Sequence, residues 1–144
     1  MSLTKKTGVL AQLGPSMSDV SDTKYSYVEL GDEMLKSVRL SSNLNGKLTT
    51  SLGQPITVYL WGSYLIGIET EEGKTYTTDG PSFFMYLSLV ITSGGFLFSL
   101  VQAARHPLFA FSALGAGLLA FFCWYLMRPL WAAQSIPNAI VIPR

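Results

Sequence analysis

The residues able to do acid–base or nucleophilic chemistry are few in this chain, and their spacing keeps them apart. His106 and Cys123 are single members of their types among 144 residues. A nucleophile needs its base within hydrogen-bond reach. Here an almost unbroken apolar run separates the two, and wound as a helix it sets them toward its opposite ends. His106 reads as a polar turn residue and Cys123 as a small buried hydrophobe. Asp32-Glu33 and Glu71-Glu72 are neighbours in sequence, and neighbours on a strand face opposite ways, so neither pair makes an acid/base couple. Asp19 and Asp22, with Ser18 and Ser21, offer oxygens to a hard cation but lack the spacing of a calcium loop. The stretch GSYLIG from Gly62 to Gly67 lacks the lysine of a phosphate loop. The expectation is a protein that is not an enzyme, with no catalytic residue, no metal and no cofactor.

Behind these residues the chain has two chemically distinct parts. Every acidic residue, from Asp19 to Asp79, precedes Gly80, and beyond it the only basic residues are Arg105, His106, Arg128 and Arg144. The formal net charge of +1 gives no electrostatic footprint for nucleic acid, which is excluded as a partner on that ground. The opening MSLTKKTGVLAQLG has no apolar core of secretory length, so no cleaved signal is expected.

In the second part, FFMYLSLVITSGGFLFSLV from Phe83 and LFAFSALGAGLLAFFCWYLM from Leu108 are free of charge. Each has roughly the twenty residues that cross a hydrocarbon core as a helix. Spans are expected at about residues 83–104 and 108–127, joined by a tight turn at Arg105-His106 that Pro107 sharpens. Antiparallel packing about that turn sets Gly95 opposite Ala116, Gly94 opposite Gly117 and Ser99 opposite Ser112, with Ala113 in the same small-residue seam. In lipid, helices associate by close backbone approach, so this seam is the expected helix contact, within the chain or between copies. Phe83, Phe84 and Tyr86 open the first span, while Trp124, Tyr125, Arg128 and Trp131 close the second, and all are expected as interface anchors on one side. Lys74, Arg128 and Arg144 outweigh Arg105, which places both termini in the cytoplasm by the positive-inside rule.

The first part reads as strands. Short β-branched and aromatic runs (YSYVEL, ITVYLW, YLIGIET, KTYTT) alternate with turn residues, and Asn45-Gly46 and Gly62-Ser63 suit two-residue hairpin turns. Leu40, Leu44, Leu48 and Leu52 recur at a helical spacing, but Gly46 and the surrounding Asn, Ser and Thr favour the hairpin. Residues 1–24 show no period and are expected as a mobile or partner-ordered arm. Residues 25–79 form the β-rich domain, 80–128 the hairpin, and 129–144 an apolar interfacial tail whose Ala139–Ile142 could also add an edge strand. So small a domain has difficulty covering its own core. Tyr59, Trp61, Tyr64 and Tyr76 are the candidate partner surface.

The fold class expected is therefore an α+β membrane protein, with a small antiparallel barrel- or sandwich-like domain followed by a two-helix transmembrane hairpin. Its expected role is a non-enzymatic accessory or interaction subunit, with the lipid bilayer and a membrane protein, or further copies of itself, as partners. The alternative is a homo-oligomeric pore or transporter subunit, lined by Ser88, Thr92, Ser93 and Ser99.

Overall fold

The computed structural model describes residues 2–81 and 83–142. The chain is α+β, a β-rich N-terminal sheet followed by two long apolar helices. It divides into two compact units, one made of Met1–Gly80 with Pro129–Arg144 and the other of Pro81–Arg128.

The first unit contains β1 (Leu3–Leu13), β2 (Ser16–Ser18), β3 (Asp22–Leu30), β4 (Glu33–Ser41), α1 (Ser42–Thr50), β5 (Pro55–Trp61), β6 (Tyr64–Glu69), β7 (Thr75–Thr78) and β8 (Ile140–Ile142). β1 pairs antiparallel with β3 and β5, β3 with β4, and β5 with β6, while β4 runs parallel to β6. The pairings therefore close into a ring of five strands, in the order β1, β3, β4, β6, β5. β1 serves two neighbours by dividing its length: Leu3–Val9 pair with β5, Leu10–Leu13 pair with β3, and an irregularity between Leu10 and Gln12 bends the strand. Gly8 permits the bend, because a Cβ there would meet the Leu30 carbonyl carbon at 3.0 Å. Leu10, Val28, Val38, Leu40, Val58, Leu65 and Ile68 fill the core.

This arrangement corrects the reading of residues 1–24 as an arm: they supply β1, the beginning of β3, and β2, which pairs with β3. Three charged or glycine positions in LTKKTGVL, Lys5, Lys6 and Gly8, hide the alternation, and the strand is held by partners distant in sequence. A second correction falls at Asn45-Gly46, which lies inside α1 and makes no hairpin. The helical leucine spacing prevails because Leu40, Leu44 and Leu48 are all fully buried. Burial on one face stabilises a short helix that its propensities alone would not. Ser41 caps it by accepting from Leu44 N, and Asn45 Oδ1 is occupied by the Tyr25 hydroxyl at 2.7 Å, which ties α1 to β3. Gly62-Ser63, by contrast, does join β5 to β6, with Gly62 at φ 63° as a two-residue turn of this kind requires.

The second unit holds α2 (Phe83–Ala103) and most of α3 (Phe109–Gln134). Between them Arg105 N and His106 N both donate to the Gln102 carbonyl, closing the turn where the sequence places it. α3 continues through Pro129, which cannot donate to the Tyr125 carbonyl, and the division between the two units falls at that residue. The second span therefore belongs to a helix seven residues longer than its expected end at Met127.

Candidate functional site

On β5 and β6 the outward side chains gather into a single apolar surface. The register shifts by one residue between Tyr59 and Leu60, leaving Ile66 as the extra residue on β6. That bulge turns Ile66 outward while Leu65 and Ile68 both keep their places in the core. Ile66 is fully buried nonetheless, because Ala132, Ala133 and Ile136 pack on it, flanked by Tyr59, Trp61, Tyr64 and Ala139. Gly67 makes room for the contact, since a Cβ there would stand 2.9 Å from Ile136 Cδ1. The segment then adds β8 in parallel to β7, pairing Tyr76 with Ile140 and Thr78 with Ile142.

Three of the four aromatics expected as a partner surface, Tyr59, Trp61 and Tyr64, are thus brought together, and the chain's own C-terminal segment partly covers them. Tyr76 lies elsewhere, against the barrel core, with Lys47 Nζ 4.6 Å from its ring centre. The hydroxyls of the first group are engaged: Tyr59 donates to Glu69 at 2.9 Å and Tyr64 to Asp22 at 3.1 Å. Lys5 also reaches Glu69, and its ammonium is held above the ordinary lysine value by Tyr59 first and Glu69 second. Segment 129–142 is accordingly helix and edge strand on the β unit, in place of the interfacial tail expected, and the edge-strand option is the one realised.

In the hairpin unit the seam differs from the expected one by a rotation of α2. The covered positions of α2 include Met85, Leu89, Thr92, Phe96, Ser99 and Ala103, spaced alternately four and three apart, with Ser93 and Gln102 beside them. Those of α3 in the same unit include Ala113, Ala116, Gly117, Ala120, Cys123 and Met127. This is the spacing of helices packing at a shallow angle. Ser99 and Ser112 do meet, with hydroxyls 3.2 Å apart, and Ala113 is buried. Gly117 faces the Phe96 ring, where a Cβ would approach to 3.0 Å. Gly94 and Gly95 are exposed, with open space where a Cβ would lie, so they are not part of an intrachain seam. The bulky Phe96 excludes them: its ring occupies the notch that Gly117 leaves.

The residues expected as interface anchors divide as well. Phe84, Tyr86, Trp124 and Tyr125 are exposed, and Arg128 lies over the Trp124 ring at 4.4 Å. Trp131 is half-buried in the β unit. The Phe83 side chain lies outside the described residues, as do Ser82 and Arg144. Of the polar residues named as a pore lining, Thr92 donates to the Ser88 carbonyl within its own helix.

Among the described residues the groups able to do chemistry stay apart. His106 sits in the helix turn, and Cys123 lines a crevice with Met85, Ser88 and Met127, roughly 20 Å along α3 by its rise per residue. Glu33 pairs with Lys6 and Glu72 with Lys74, whose ammonium holds the Glu72 carboxyl below its ordinary value. Asp19 accepts from the Val20 amide. Among the described residues no three His, Cys, Asp or Glu side chains gather as a metal site would require. The feature sequence reasoning missed is the Ile66 contact, which no strict alternation of β6 foretells. Comparison with known proteins finds no match among family models, curated proteins or solved structures.

Proposed function

We propose that this chain is a non-enzymatic, membrane-anchored interaction subunit, in which α2 and α3 span a bilayer and the β unit is presented to a partner in a larger membrane assembly. One observation carries the reading: only 6% of the most apolar window of either helix is buried. Rows such as Val90, Ile91, Leu97, Phe98 and Leu118, Leu119, Phe121, Phe122 lie exposed. In water such a surface far exceeds the few hundred Å² that soluble monomers expose, whereas lipid tails are its natural solvent. The charge difference across the turn favours both termini in the cytoplasm.

The ring of five strands, with α1 between β4 and β5 along the chain, has the connectivity of an OB-type barrel. That scaffold serves many binding roles and assigns none by itself. The reading as an interaction subunit rests on the apolar helices together with a small β unit in which, among the described residues, no acid, base and nucleophile converge. Alkaline carbonate extraction tests the membrane part: the chain stays with the pellet, and release into the supernatant refutes it. Purification in mild detergent tests the role. A defined membrane protein that co-purifies supports it, whereas a symmetric oligomer of this chain alone, conducting ions in a bilayer, would replace it with a pore.

A further inference from the structure

The cations of the β unit are not distributed like the rest of its surface. Lys5 pairs with Glu69, Lys6 with Glu33 and Lys74 with Glu72, and Lys47 covers the Tyr76 ring. Lys24, Lys36 and Arg39 have no such partner among the described residues, and all three are exposed on β3 and β4. Lys24 and Arg39 stand directly opposite each other in the ladder, a like-charge pairing that costs stability unless an anion relieves it. Lys36 joins them through an irregularity: Ser37 has φ 56°, in the left-handed region, and there Lys36 and Ser37 both point outward while Leu35 and Val38 are both buried. The row continues onto β2, where Met17 pairs with Lys24 and is 81% exposed, and the adjoining turn carries Val20 at 97% exposed.

We infer that this β2–β3–β4 face docks on an anionic phospholipid surface, with Lys24, Lys36 and Arg39 on headgroup phosphates and Met17 and Val20 inserted between them. Charge complementarity selects a polyanion, and the flanking side chains select lipid. The fully exposed groups are aliphatic, whereas a single-stranded nucleic acid is gripped by exposed rings, and the rings beside these cations, Tyr27 against Gly14 and Tyr64 opposite Arg39, are both half-buried. Two acids frame the patch, Asp22, which accepts from Tyr64, and Glu29 near the far end of β3, and they limit its extent to the three cations. Asp19 is turned onto the Val20 amide.

The inference rests on the membrane reading proposed above and is tested on the full chain in nanodiscs of phosphatidylcholine. Vesicles of phosphatidylcholine, with or without phosphatidylserine, are added and floated. Capture by the phosphatidylserine vesicles alone, abolished by high salt, is the expected result. Each of Lys24→Gln, Lys36→Gln and Arg39→Gln should weaken it about fivefold, the worth of one basic residue near a charged membrane. Lys5→Gln and Lys74→Gln, off the face, should leave it unchanged. A chain that does not enter nanodiscs overturns both readings. A chain that enters but captures no charged vesicles, captures them equally in the triple variant, or binds single-stranded oligonucleotide in their place overturns this inference alone.

Discussion

At Gly67 the missing side chain is what lets the C-terminal segment close on the sheet. A Cβ there would stand 2.9 Å from Ile136 Cδ1, 3.2 Å from Thr77 Cγ2 and 3.3 Å from the Tyr76 carbonyl oxygen. Gly67→Ala should therefore cost the β unit about 1–3 kcal/mol, the usual penalty of overpacking. Ile136→Val removes the methyl in conflict and alone costs about 0.5–1.5 kcal/mol. Combined, the two should cost clearly less than their sum in denaturant titrations followed through tryptophan fluorescence. Strict additivity would show that the contact is not the source of the cost. Tyr25 sets a different kind of expectation, since burial pushes its phenol above the ordinary value against the smaller pull of the Asn45 hydrogen bond. A raised native value means the folded state keeps a proton that the unfolded chain releases. The contribution is thus complete below about pH 10, the unfolded phenol value, and is lost as pH rises through the native one. Tyr25→Phe should flatten that alkaline loss, and a denaturation midpoint that falls as steeply in the variant would exclude Tyr25 as its cause. At this scale residue type alone marks Tyr59, Trp61, Tyr64 and Tyr76 as a candidate partner surface, of which the first three lie together and Tyr76 does not. It could not show that Ile66 stands among them, because the outward turn of Ile66 comes from a bulge and side-chain alternation assumes there is none.

Elements were legible where their signal is local. The two apolar helices announce themselves by uninterrupted length, and their turn by Arg105, His106 and Pro107. β5, β6 and β7 follow from alternation and the Gly62-Ser63 turn. β1 and α1 did not, for a shared physical reason: LTKKTGVLAQL and SNLNGKLTT have weak intrinsic preferences, and each is fixed by partners far along the chain. The helix seam was half legible. Small residues marked the region, but the rotation of α2 is decided by where the Phe96 ring fits, and it fits Gly117. The seam makes a pair of expectations, the first common to both registers and the second set by the rotation. In a Cys123→Ser background, Ser99→Cys with Ser112→Cys should form an intrachain disulfide on mild oxidation, because the native hydroxyls are 3.2 Å apart. Absence of the faster-migrating oxidised band would refute the observed seam. Gly117→Leu should disturb the hairpin by driving into Phe96, while Gly94→Leu should not, since open space surrounds that position. Thermal unfolding in detergent that ranks the two variants the other way would restore the seam read from sequence.

The molecule as a whole is not organised in the order of its sequence. Its β unit is discontinuous, beginning with Met1–Gly80 and completed by Pro129–Arg144 after the entire apolar hairpin has been made. The two contributions are unequal in kind. The first part closes the ring of strands by itself, whereas the last supplies Ala132, Ala133 and Ile136 over Ile66 and adds β8 at the edge. The early domain is too small to cover itself, and its size alone leaves the cover to lipid, a partner or another copy. The cover lies in the same chain, and a contact of such long sequence separation leaves no local period to read. This arrangement predicts the behaviour of fragments. Residues 2–80 alone should keep the barrel core, since Leu10, Val28, Leu40, Val58 and Leu65 all lie within them. They should nevertheless expose Tyr59, Trp61, Tyr64 and Ile66, bind a hydrophobic dye, and unfold at lower denaturant than a version in which a flexible linker replaces the hairpin and restores 129–142. The difference should be about 2–5 kcal/mol, as for loss of one well-packed large aliphatic side chain and its neighbours. Equal midpoints for the two fragments would show that the C-terminal segment lies on the barrel without stabilising it. Its removal would then be open to a partner competing for the same aromatic strip.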